Sequence, residues 1–119
     1  MKTFPARELS AKTITPEKQV QNSVVAQLRL HGFMVVRNQQ GLGHVKGRPD
    51  LEAYKNGTVI FIECKAPRGR LSEHQVKYIR TLEGHGMRVM VVNDAEKFLD
   101  DLEALQEELW PGKNLRRLC

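Results

Sequence analysis

Val20, Val24 and Leu28 recur at helical spacing in a stretch that opens with Thr15-Pro16-Glu17 and stops at Gly32. Threonine as N-cap, proline at the first helical position and an acid in the first turn are start signals, so the pattern predicts a helix from Thr15 to Gly32. Phe33-Met34-Val35-Val36-Arg37 then reads as a strand. Residues 38–47 carry Gly41, Gly43 and Gly47 and read as a flexible loop, without the Gly-Lys-Ser/Thr ending of a nucleotide-binding loop. Asp50-Leu51-Glu52-Ala53-Tyr54 is a second strand, Lys55-Asn56-Gly57 a hairpin turn, and residues 58–65 a third strand whose β-branched and aromatic run ends abruptly in charge. A basic loop over 66–71 leads to a helix opened by Ser72-Glu73-His74-Gln75, with Val76, Ile79 and Leu82 expected toward the core. Gly84-His85-Gly86 ends it, and residues 87–92 form a fourth strand. A last helix is capped by Asn93 or Asp94, carries the stripe Phe98, Leu102, Leu105, Leu109, and stops at Pro111.

The resulting order is αβββαβα. Three strands in a meander, followed by a helical crossover to a fourth, predict a four-stranded mixed sheet flanked by helices, an α/β fold. The expected organisation is an N-terminal arm over 1–14, mobile or used in oligomer contact, one domain over 15–110, and a basic tail over 111–119 with Lys113, Arg116 and Arg117. A chain of 119 residues fits one domain with a small core. No apolar run approaches the ~20 residues of a membrane span, and the first residues lack a signal-peptide core, so a cytosolic location is expected. Cys64 and Cys119 then stay reduced, and His31, His44, His74 and His85 are too scattered for a zinc site.

Charge sharpens this picture. Net charge is +5, but residues 94–109 hold seven acids and one base, which is −6 and leaves +11 for the rest. A basic body with its acids confined to one helix fits a nucleic-acid ligand on the opposite side. Aromatic content of 6% makes base stacking a minor part of any such binding.

The candidate chemistry lies at Asp50 and at Glu63-Cys64-Lys65. Side chains alternate along a strand, so Glu63 and Lys65 share a face and Cys64 points the other way. The Asn56-Gly57 hairpin makes the strands of Asp50 and Glu63 neighbours. Two carboxylates side by side suit Mg²⁺, which takes oxygen ligands and completes its shell with water and phosphate. The Cys64 backbone carbonyl is a candidate third ligand. Lys65 could orient the attacking water, lower its pKa or hold a phosphate oxygen, and the sequence does not choose among these roles. Each residue alone has an ordinary reading: an acid after proline is commonly a turn residue, and Glu-x-Lys at a strand end commonly a solvated edge. Their order on adjacent strands is what points to a site.

Glu17 can point toward the sheet, or it can simply complement the helix dipole. Gln75 shares a face with Ile79 and Leu82 and can reach the site, yet Ser72-x-x-Gln75 is also a capping box. The two roles of Gln75 are expected to exclude each other if its side chain bonds back to Ser72. Lys46, Arg48, Arg68 and Arg70 stand in the loops next to the acids and are candidate phosphate contacts, against the alternative of solvated loop charge.

With Glu17, Gly47-Arg48-Pro49-Asp50, Ile62-Glu63-Cys64-Lys65, Gly69-Arg70-Leu71-Ser72 and Gln75 in this order, the chain resembles the VRR-NUC family of the PD-(D/E)xK nuclease superfamily over 15–92. Cys64 departs mildly from the apolar residue common at that place. The resemblance implies a restriction-endonuclease-like core, dependence on Mg²⁺ or Mn²⁺, ligation by Asp50, Glu63 and the Cys64 carbonyl, and a site shared with Glu17, Lys65 and Gln75, Glu17 being a further possible ligand. Larger relatives, among them a Fanconi-anaemia-associated repair nuclease, fuse the domain to others. Short stand-alone members from phages and bacteria resemble Holliday-junction resolvases and act as homodimers. The expectation is therefore a metal-dependent, structure-selective DNA endonuclease that cuts four-way junctions as a homodimer in the cytoplasm of a bacterium or phage-infected cell. A flap, nicking or restriction-type nuclease and a non-catalytic DNA-binding module are the competing readings.

Overall fold

The computed structural model describes residues 13–38 and 45–112. The expected positions in 1–12, in 39–44 and in the basic tail from Lys113 onward lie outside the described residues. Helix α1 spans Pro16–Leu30, with the Thr15 side chain accepting from the Lys18 N–H at its start. It buries Val20, Val24, Val25 and Leu28, and Gly32 at φ +86° turns the chain out of it. Strands β1 (Met34–Arg37), β2 (Leu51–Lys55) and β3 (Thr58–Cys64) pair antiparallel in that order. Asn56 and Gly57 both take positive φ, +50° and +77°, as a two-residue hairpin turn matched to strand twist requires.

Helix α2 (Glu73–Gly84) crosses over to β4 (Arg88–Val92), which lies parallel to β3. Helix α3 (Ala95–Leu109) closes the chain, its N-cap Asp94 accepting from Glu96 and Lys97. The sheet order is β1-β2-β3-β4, a mixed sheet with helices on its faces. This is the order and topology the hydrophobic pattern predicts, and it is a restriction-endonuclease-like fold.

Period-2 alternation divides the sheet cleanly. Leu51, Ala53, Ile60, Ile62 and Cys64 face α1 and α3 and have no exposed surface. Glu52, Tyr54, Phe61 and Glu63 point the other way, where α2 covers the β4 side. Because α2 covers only part of that face, Ile79 is buried while Val76 and Leu82, expected in the core, are only half-buried. At the end of the sheet far from the acids, the Lys55 ammonium donates to the His31 carbonyl (2.5 Å) and Gln106 Oε1 (2.9 Å). It also stands 5.1 Å from the Phe33 ring centroid and 5.6 Å from that of Trp110, tying the last turn of α1 to α3.

Candidate active site

The β2–β3 register places the site. Its last pair is Leu51 with Ile62, so the next step along the hairpin sets Asp50 opposite Glu63. One step further, Cys64 would face Pro49, beyond the start of β2. The Asp50 side chain fills that gap: its Oδ2 accepts from the Cys64 N–H at 2.9 Å. The ladder thus ends on a carboxylate rather than on water, and the acid is fixed beside its partner.

The turn that delivers Asp50 is held from two sides. Asn38 donates its backbone N–H to the Asp50 carbonyl (2.7 Å) and its side-chain amide to the Pro49 carbonyl (2.9 Å). On the other side Gly47, at φ +85°, lies directly against the start of α2. A Cβ there would fall 2.2 Å from the His74 carbonyl oxygen, so only glycine fits this contact. Gly47 and the residues that follow it to Asp50 are therefore seated against the first turn of α2.

Glu63 is 1% exposed. Its Oε2 accepts from Gln75 Nε2 at 2.9 Å and lies 3.6 Å from Lys65 Nζ. Its Oε1 is buried and has no hydrogen-bond partner among the described residues. Burial, then the nearby Asp50 charge, push the Glu63 carboxyl up to about 7, against the pull of Lys65, with Glu17 adding to the rise. Burial likewise raises Asp50, opposed by the Cys64 N–H, Lys65 and Lys18. Cys64 itself points into the core, where burial pushes its thiol up and leaves it inert, so only its backbone faces the acids.

Gln75 performs both tasks at once, contrary to the exclusion expected above. Its Oε1 accepts from the Ser72 N–H (2.8 Å) while Ser72 Oγ accepts from the Gln75 N–H (3.2 Å), completing the capping box. Its Nε2 remains free to reach Glu63, because a primary amide presents an acceptor and a donor on opposite arms.

Glu17 stands at the start of α1, half-buried, on the wall of a cavity of about 540 Å³ that also includes Asp50, Lys18, Gln21, Arg37 and Asn38. Gln21, Arg37 and Asn38 did not stand out in the sequence. Gln21 follows Glu17 by one helical turn, which was the available signal. Gln21 Oε1 accepts from Arg37 (2.7 Å) and Lys18 (2.9 Å), so this wall is cationic and braced.

Of the four candidate phosphate contacts, Lys46, Arg68 and Arg70 are exposed. Arg48 is engaged elsewhere: its guanidinium pairs with Glu52 Oε2 at 2.7 Å. Glu52 is 8% exposed and also accepts from the Tyr54 hydroxyl (2.5 Å) and the Asn38 amide (3.3 Å).

Among the described residues no three Asp, Glu, His or Cys side chains stand close enough to hold an ion by themselves. The corner nonetheless suits a hard divalent cation. Glu63 Oε1 is a buried oxygen without a donor, and Asp50 is a second acid opposite it. Such ions keep water and substrate oxygens in their shell rather than a full protein cage. Asp50 and Glu63 would hold the ion, with the Cys64 carbonyl beside them. A bound cation would supply Lewis-acid stabilisation and a more acidic water. Lys65 brings a positive charge to within 3.6 Å of Glu63, where it can meet a phosphate oxygen or the attacking water.

A family model for the VRR-NUC domain matches residues 9–96. Among solved structures, a chain described as a VRR_NUC domain aligns with a TM-score of 0.64 and 26% identity, covering 75% of this chain and 95% of that one. No curated protein matches the sequence.

Proposed function

We propose that this chain, which belongs to the VRR-NUC family and has its nuclease-type fold, is a Mg²⁺- or Mn²⁺-dependent endonuclease that hydrolyses phosphodiester bonds in branched DNA. The observation that carries this reading is the buried Glu63 carboxylate. It has one oxygen without a partner, a second acid across the hairpin, and a lysine 3.6 Å away. Burying an acid in that state costs stability, and a metal-dependent reaction on phosphate is a function that repays it.

In the reaction, Asp50 and Glu63 bind the cation, Gln75 orients Glu63, and Lys65 stabilises charge on the phosphate or positions the water. Glu17 closes the opposite wall of the cleft. The four-way junction is the substrate proposed, with a homodimer as the working form. The described residues contain one acidic corner, and two symmetric cuts require two corners related by a two-fold axis.

The test is cleavage of labelled four-way junction, flap and linear duplex in Mg²⁺, Mn²⁺ or EDTA, beside Asp50→Ala and Lys65→Ala. Paired symmetric cuts on the junction, lost in EDTA and in both variants, are expected. Equal cutting of flap or duplex would move the specificity while keeping the chemistry. Full cleavage by either variant would remove the assignment of the site.

A further inference from the structure

Most of the described cations are spoken for. Lys18 and Arg37 bond to Gln21, Arg48 pairs with Glu52, Lys55 caps α1, Lys65 pairs with Glu63, Arg88 with Glu108, and Lys97 with Asp101. With the exception of Arg29 at the end of α1, the uncommitted ones flank α2: Lys46, Arg68, Arg70, Lys77 and Arg80. Two of them share a groove of about 290 Å³ between α2 and the 45–47 loop, lined by Lys46, His74, Lys77, Tyr78, Thr81 and Leu82. Among the described residues no carboxylate lines it. His74 and Tyr78 lie one helical turn apart along its floor and offer an imidazole and a hydroxyl beside the two ammonium groups, while the Thr81 hydroxyl donates to the Lys77 carbonyl (3.0 Å).

From this groove we infer a second phosphate seat, in which Lys46 and Lys77 hold the DNA backbone to one side of the cleaved bond. The inference rests on the nuclease reading of the acidic corner. Its geometry follows from α2 itself. Gln75 touches Glu63, and Lys77, two residues on, stands about 200° around the helix at 100° per residue, so the seat lies on a different face of α2 from the one that meets the acids. The close approach of Gly47 to His74 keeps Lys46 on one wall in fixed relation to Lys77 on the other. Because the same turn carries Asp50, a strand held here is held in register with the acids. The surface of α3 offers the contrast, since its exposed face is acidic and repels phosphate.

The test is binding of a labelled junction and a linear duplex in EDTA across a salt series, for the wild type, Lys46→Ala/Lys77→Ala, Lys77→Glu and Arg29→Ala. The double variant is expected to make the slope of log Kd against log salt shallower by about one to two, with Kd raised about ten-fold at low salt. Lys77→Glu should weaken binding further, while Arg29→Ala, far from the groove, should match the wild type. Both lysines are exposed, so a thermal melt of each variant should coincide with that of the wild type. A slope unchanged in the double variant would overturn the groove, whatever cleavage does. A wild type that binds with the full slope, loses it in the double variant, yet cuts nothing in either metal would sink the nuclease reading and leave the phosphate seat standing.

Discussion

Glu52 and Glu63 are buried acids on neighbouring strands and on the same face of the sheet, yet they live in opposite states. Glu52 sits opposite Phe61, two residues before Glu63. Burial raises the Glu52 carboxyl, but hydrogen bonds from Tyr54, Arg48 and Asn38 outweigh it and hold it below the usual carboxylate range. Glu63 has one amide, one distant ammonium and an oxygen with no donor, and is pushed up to about 7. The first acid is fully satisfied, and its network braces the turn that carries Asp50. The second is left incomplete, which is how a protein stores the capacity to bind something. Burial alone does not separate these two acids, whereas the count of satisfied lone pairs does.

The largest effect should come from Glu63→Gln. Metal-dependent cleavage is expected to fall on the order of 10³-fold or more, because the substitution removes the charge proposed to hold the cation. The same variant should be more stable than the wild type in EDTA above pH 7, since a neutral amide avoids the buried charge. A denaturant melt beside the cleavage assay reads both. Retained cleavage in that variant would place the metal elsewhere.

Next is the pH dependence of the metal-free protein. Glu63 binds its proton more tightly folded than unfolded, so its contribution to stability is present below about pH 4.5 and is lost as pH rises through about 7. The loss amounts to about 3 kcal/mol and should vanish in Glu63→Gln. Glu52 works in the reverse sense, its contribution being present above its ordinary value of 4.5 and lost as pH falls through its lowered one. Urea melts at pH 5 and pH 8 in EDTA would reveal the Glu63 term as a drop on going to pH 8.

Glu52→Ala should cost about 2 kcal/mol in stability, because Arg48, Tyr54 and Asn38 lose a shared acceptor. Its effect on cleavage should be smaller than that of Glu63→Gln and should follow the loosening of Asp50. If Glu52→Ala abolished cleavage without affecting stability, the two acids would have exchanged roles. The smallest effect should be that of Gln75→Glu. It preserves an acceptor for the Ser72 N–H but sets a carboxylate against Glu63, so cleavage should fall roughly ten-fold with the helix intact by circular dichroism.

The elements were legible because each had its own local signal. Thr15-Pro16 starts α1, Asn56-Gly57 makes the hairpin, and the period of 3.6 at Phe98, Leu102 and Leu105 marks α3. The hairpin also made the Asp50–Glu63 pairing readable, since a two-residue turn fixes register. What could not be read depended on three dimensions. Arg48 is drawn to Glu52 through a turn rather than a helix, so its spacing of four carried no meaning in the sequence. Asn38 and Gln21 meet Asp50 only after β1 and α1 pack. The half-burial of Val76 and Leu82 depends on how much of the sheet α2 covers, which periodicity does not report. Gln75 departs from its expected either-or for a different reason: one glutamine amide makes two bonds at once, Oε1 accepting from Ser72 and Nε2 donating to Glu63.

That two-ended amide makes α2 a reporter on its own site. Because Oε1 is engaged by Ser72 and Nε2 by Glu63, the Gln75 NH₂ protons sit in a fixed, asymmetric setting. Their pair of resonances in a ¹⁵N spectrum should be widely split, and should shift when a cation draws Glu63 away, with no change in the backbone signals of the helix. A spectroscopist could therefore follow the filling of the acidic corner from one side chain, without adding a probe and without DNA.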